Sequence, residues 1–239
     1  MKRIVEVLLI VGIIGGCGSN RSTIETRSSA TTSSTATLPQ PGVSSQSQRF
    51  TAEIWADNWF ALYVNDQKVG EDSVPITTER SFNSETISFL ASLPLTVGIL
   101  AKDFIENESG LEYIGTDRQQ MGDGGIVIQI RDESNRVLAV SDRSWKTFVT
   151  QEAPLNPACE SSPEPMTDCQ FLSVKEPDGW QSAEFDDTSW PPASVFTAET
   201  VGPKDGYSDI AWDPAAEFIW GPDLKTSNVV LLRKIVSGA

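Results

Sequence analysis

Asp57, Asn58, Asp103 and Asp123 offer hard oxygen atoms of the kind that calcium gathers in sets of six to eight. They are scattered along the chain with no Asp-x-Asp-x-Asp loop, so a structural calcium ion on these four is an expectation about tertiary structure. Sugar recognition is the second chemistry, and it needs an aromatic face beside a few planar polar groups. Trp55, Trp59, Trp212 and Tyr207 supply faces, and two polar loops supply partners. The segment 103–123 carries Asn107, Glu112, Tyr113, Asp117, Arg118, Gln119 and Gln120; the segment 202–209 carries Asp205 and Tyr207. The expected ligand-binding set is Trp59 as an aromatic face with Tyr113, Arg118, Gln120, Asp205 and Tyr207 from these loops, because loops carry function more often than strands. Solvated surface loops account for the same residues without any ligand.

Other chemistries are closed off. The chain has no histidine, which removes Ser-His-Asp and Cys-His catalysis, imidazole-bound zinc and the usual base near neutral pH. No residue is assigned a catalytic role. Nothing matches a phosphate loop or a dinucleotide fingerprint, since the run 122–125 lacks the spacing and the following helix. Cys159 and Cys169 stand in a segment rich in Pro, Ser and Glu. In an exported protein such a pair is expected to close a disulfide, worth about 2–3 kcal/mol on the chain-entropy model. A metal-thiolate site is the rival, with an incomplete ligand set. The net charge of −15 makes nucleic acid a poor partner.

The elements that must position these groups begin after an unusual start. Lys2 and Arg3 precede an aliphatic run from Val7 to Ile14, then Gly15, Gly16 and Cys17. The run is too short to span a bilayer and fits a secretory signal. Its ending resembles a bacterial lipoprotein signal, which implies a signal peptide over 1–16 and lipidation of Cys17. Removing those 16 residues takes away Lys2, Arg3 and Glu6, leaving 16 basic and 32 acidic side chains, or −16. Residues 17–48 form the lipidated cysteine and a Ser/Thr-rich linker that cannot offset its ordering entropy. A coil of about 30 residues reaches roughly 30 Å root-mean-square. Gly18 differs from the aspartate retention signal, which favours the outer membrane.

From residue 49 to 239 the pattern turns to short β-type segments between turn residues. Strands are expected at 52–57, 59–65, 85–91, 95–103, 126–131, 137–140, 145–150, 216–220 and 228–236. Asn65-Asp66 marks a tight hairpin before Lys68-Val69-Gly70. No window outside the signal shows a helical apolar repeat, so an antiparallel β-sandwich or jelly roll of eight to nine strands is expected.

Four fragments in order resemble the galactose-binding-like jelly rolls that accompany glycoside hydrolase modules and occur in bacterial surface proteins. They are Asp57-Asn58-Trp59 through Tyr63-Val64-Asn65-Asp66; Asp142-Arg143-Ser144-Trp145-Lys146; Phe185-Asp186-Asp187-Thr188-Ser189-Trp190; and Ile219-Trp220-Gly221 with the strand through Arg233. Asp66 replaces the glycine of the family's Tyr-Val-Asn-Gly turn. The resemblance runs from about residue 50 to 236 and implies the sandwich, often with a structural ion, but no particular ligand. Trp145 and Trp190 are expected to pin loops to the core, and Asp186 and Asp187 to accept backbone N–H groups.

The expected function is that of a non-enzymatic, lipid-anchored binding module of the cell envelope. It would hold carbohydrate or another surface ligand, with the membrane as partner through its lipid. A lipoprotein docking a protein partner is the alternative. A carboxylate-based glycoside hydrolase ranks third, and would need two carboxylates about 5–10 Å apart across a cleft.

Overall fold

The computed structural model describes residues 46–238. The expected signal peptide, Cys17 and nearly all of the linker lie outside the described residues. Fourteen strands follow in chain order: β1 Gln48–Asp57, β2 Trp59–Val64, β3 Gln67–Glu71, β4 Asn83–Ala91, β5 Leu95–Lys102, β6 Leu111–Glu112, β7 Gln120–Met121, β8 Gly125–Asp132, β9 Val137–Val140, β10 Lys146–Glu152, β11 Leu172–Ser173, β12 Ser194–Phe196, β13 Phe218–Trp220 and β14 Ser227–Val236. Nine of them, β1 to β5, β8 to β10 and β14, have four residues or more, which is the expected sandwich; the rest are two or three residues long. Two four-residue α-helices, Pro165–Asp168 and Ala198–Val201, are the only α-helices among the described residues.

Two six-stranded antiparallel sheets face each other. The first runs β12-β13-β8-β1-β4 with β9 also on β8, and the second runs β11-β10-β14-β5-β2-β3. Alternation builds the core between them, because successive side chains in a strand point to opposite faces. Phe50, Ala52, Ile54 and Ala56 of β1 and Ile126, Ile128 and Ile130 of β8 meet Leu95, Val97, Ile99 and Ala101 of β5 and Val230 and Leu232 of β14. The outer face of the second sheet is covered too: Trp180 and Trp190 bury Ala61, Leu100 and Leu231 there. Trp55 is fully buried against Phe82, Tyr207 and Phe218, so no sugar can stack on it.

The turns follow their residues. Asn65 and Asp66 both have positive φ, 48° and 69°, as a two-residue primed hairpin turn requires. Trp145 is buried, and its indole N–H donates to the Val140 carbonyl at 2.9 Å. Asp186 accepts the Thr188 N–H at 3.0 Å, as expected. Asp187 does something else, accepting from Arg233 Nε at 2.9 Å. Cys159 and Cys169 are joined by a disulfide.

One pole of the sandwich collects the chemistry. There β1 ends at Asp57, β5 gives way to Asp103, β14 begins at Ser227, and the loop holding Asp123 leads into β8.

Candidate cation centre and adjoining cavity

Asp103 directly follows β5, and its N–H donates to the Asn228 carbonyl at 2.9 Å, extending the β5–β14 ladder by one pair. It therefore continues the inward row of Val97, Ile99 and Ala101, but with a carboxylate where the row had alkyl groups. Asp57 closes β1 beside Gly125 of β8. Each of Asp57, Asp103 and Asp123 brings one carboxylate oxygen to within 4.8 Å of the other two. Asp57 and Asp103 are 1% and 3% exposed, whereas Asp123 is partly open. Neither oxygen of Asp57 or of Asp103 has a hydrogen-bond partner among the described residues. The buried Asn228 side chain, opposite Asp103 on the ladder, likewise has both amide atoms unpartnered.

Such an arrangement is electrostatically expensive. Two charges under 5 Å apart repel by about 3 kcal/mol at an effective dielectric of 20, on top of the cost of taking each from water. Burial pushes the Asp103 carboxyl well above the ordinary carboxylate range, Asp57, Glu112 and Asp123 push it further, and the neighbouring Phe104 N–H opposes them only in part. Burial does the same to Asp57, followed by Asp123, with Lys204 opposing. The one ion pair to the triad among the described residues is weak: Lys204 Nζ lies 3.8 Å from Asp123 Oδ2, and both side chains are nearly half exposed. Either protons or a divalent cation can relieve this cluster. Hard carboxylate oxygens with an amide oxygen at hand are a donor set that suits calcium.

Glycine at position 122 lets the loop close on the centre, because a Cβ there would run into Asp103 Oδ2. Gly122→Ala should overpack the pole by about 1–3 kcal/mol. The melting midpoint checks this, and an unchanged midpoint would contradict the close packing of loop on carboxylate.

Beside the triad lies a cavity of about 150 Å³ lined by Glu79, Arg80, Phe82, Glu112, Tyr113, Gln120, Asp123 and Lys204. Glu112 and Gln120 face each other as a register pair of the β6–β7 hairpin, and Gln120 Nε2 donates to Glu112 Oε2 at 3.2 Å. Burial raises the Glu112 carboxyl to about 7, opposed by that amide and reinforced by Asp123. Tyr113 has a positive φ of 53° and carries the Arg118 guanidinium 4.1 Å over its ring.

Three of the four expected metal ligands, the aspartates, thus converge. Asn58 has backbone partners. Its Oδ1 already accepts the Phe104 N–H at 2.6 Å and its Nδ2 donates to the Glu79 carbonyl at 3.1 Å, so it ties the loops around the centre. Of the expected sugar contacts, Tyr113 and Gln120 line the cavity, with Arg118 stacked behind Tyr113. Trp59 packs instead on the outer face of the second sheet, under Lys102. Tyr207 stacks on Trp212 and lines a separate groove with Phe196 and Phe218, and Asp205 gives its backbone carbonyl to Trp55. The six do not form one wall. Glu112 and Asn228 were missed as part of the centre, and only the alternation that makes Asn228 inward-facing hinted at the latter.

No protein-family model, curated protein or solved structure matches this chain.

Proposed function

We propose that the chain is a lipid-anchored binding module of the cell envelope, acting without catalysis. In this reading it holds a calcium ion at Asp57, Asp103 and Asp123 and receives carbohydrate or another surface ligand at the adjoining cavity. The observation that carries the reading is the pair of buried carboxylates without partners, opening through Asp123 onto a small polar cavity. Such a pair fits a hydrolase poorly. Asp57 and Asp103 are both nearly fully buried, so the two do not flank an open cleft that a glycosidic bond could enter. The lipid anchor rests on the residues around Cys17, and the sugar preference rests on Tyr113, Gln120 and the resemblance to galactose-binding-like domains.

The test uses the chain from Gly18 onward. Titration calorimetry should report about one calcium per chain in the parent and none in Asp103→Asn. A glycan array run with calcium and again after chelation should then show saturable binding to one glycan class, lost on chelation and in Tyr113→Ala. Absence of calcium binding in the parent would refute the cation centre.

A protein partner is the second reading, favoured by one observation. Leu155, Met166, Phe171, Leu172 and Val174 are all exposed in the segment around the disulfide and the edge strand β11. Calcium binding with a blank array would move the proposal there.

A further inference from the structure

Glu112 and Gln120 owe their position to very little of their own. Their hairpin, β6–β7, is two residues a side, pairs with no other strand, and registers only Leu111 with Met121 and Glu112 with Gln120. A two-stranded ribbon of that size has no independent stability in water. What holds it is the segment closed by Cys159 and Cys169. The two cysteines form one small core with Leu111, Ile114 and Met121. Gln119 Nε2 donates to the carbonyls of Glu160 at 2.7 Å and Ser162 at 2.8 Å, and the Met121 N–H donates to Glu160 Oε1 at 3.1 Å. On the other side, Gly110 lies so close to the Ala153 carbonyl that a Cβ would collide with it. The disulfide segment is thus the back wall against which the cavity's Glu112 wall is pressed.

We infer that the Cys159–Cys169 segment, gripped through Gln119, positions the Glu112 wall over the carboxylate triad, so that cation affinity depends on the disulfide. The inference rests on the cation reading above. Glu112 lines the same cavity as Asp123, so a wall that swings away removes a carboxylate that would attract a dication there. Its pairing with Gln120 keeps the carboxylate aimed into the cavity rather than into solvent. Coupling between two sites is reciprocal: whatever factor the disulfide adds to cation affinity, the cation adds to the stability of the disulfide.

Two measurements on the chain from Gly18 test it, with calcium as the probe and no cysteine present besides the pair. Calorimetric titration at 25 °C compares the oxidised parent with Cys159→Ala/Cys169→Ala and with Gln119→Ala, which keeps the disulfide but releases the grip. Both variants should bind calcium about tenfold more weakly, within the usual span of site-to-site coupling, while near-ultraviolet circular dichroism shows the sandwich still packed. A role confined to stability would lower the melting temperature and leave the affinity of the folded protein unchanged. The second measurement needs no variant to fold. In a buffer of reduced and oxidised dithiothreitol, the dithiol gives two electrons and two protons to the bridge, leaving two cysteine thiols. Added calcium should raise the oxidised fraction at equilibrium. Parent-like calcium affinity in both variants, or an oxidised fraction indifferent to calcium, overturns the inference while leaving the cation centre standing. A parent that binds no calcium overturns both.

Discussion

Asp103→Asn should stabilise the calcium-free protein at pH 8 and abolish its stabilisation by calcium. The asparagine keeps the shape at a site that is 3% exposed and removes one charge from a cluster that has too many. The relief is about 2–3 kcal/mol, the scale of one like-charge contact at an effective dielectric of 20, or roughly 5–10 °C for a domain of this size. The parent should instead gain about 2.7 kcal/mol from calcium at a hundred times its dissociation constant, while the variant gains nothing. The pH dependence has a definite sign. Asp57 and Asp103 have folded-state pKa values raised first by burial, then by Asp123 at Asp57 and by Asp57 at Asp103, and burial raises Glu112 to about 7. A carboxyl that binds its proton more tightly when folded stabilises the fold below its unfolded pKa, near 4, and loses that contribution as pH rises through the folded value. The calcium-free parent should therefore melt lower at pH 8 than at pH 5. Calcium competes with the protons, so it should raise the midpoint much more at pH 8 than at pH 5. Asp72, raised to about 6 by burial, has the same sign but no role at the centre, so some slope should survive in Asp103→Asn. Scanning calorimetry at both pH values decides. A calcium-free midpoint that is flat or rising between them would mean that the carboxylates are not buried together.

Arg233→Ala should cost about 3–5 kcal/mol, the range for breaking a buried ion pair from one side. The guanidinium is 1% exposed on the outer face of the second sheet. Its Nε donates to Asp187 at 2.9 Å, and its Nη1 donates to the carbonyls of Trp180 and of Ser182, the latter at 3.1 Å. It also lies 5.2 Å over the Phe185 ring. One side chain thus fastens the whole 180–190 segment, and with it Trp180 and Trp190, to β14. Removing it leaves two carbonyls and a carboxylate searching for water beneath two tryptophans. The urea midpoint should fall with little change in slope, because the same surface unfolds. A loss below about 1 kcal/mol would mean that the tryptophans hold the segment without it. Arg233→Lys should recover only part of the loss, since an ammonium cannot serve the three acceptors from one plane.

What the sequence disclosed followed the range of the interaction. Strands such as 52–57, 95–103 and 228–236 were legible because alternation is written into neighbouring residues. The Asn65-Asp66 turn was legible because few side chains tolerate two positive φ angles in a row. The Cys159–Cys169 bond needed only short spacing in a polar segment. Of the four oxygen donors named from residue type, three converge at one pole of the sandwich. That the Asn58 oxygen accepts a backbone N–H is not something residue type can show. Arg233 and Asp187 pair across 46 positions, and no local pattern announces such a contact. Glu112 looked like one polar loop residue among seven. Its burial depends on a hairpin whose support comes from beyond position 155, which no reading of the loop by itself can supply.

The direction of β1 settles an orientation. The strand enters at Gln48 and runs ten residues before it delivers Asp57 to the carboxylate pole, about 30 Å away at the usual rise per residue. β14 leaves the same pole and carries the chain back to Val236. Both ends of the folded body therefore emerge at its rear. A sensor chip or bead coupled through either end would present the same face to the solution.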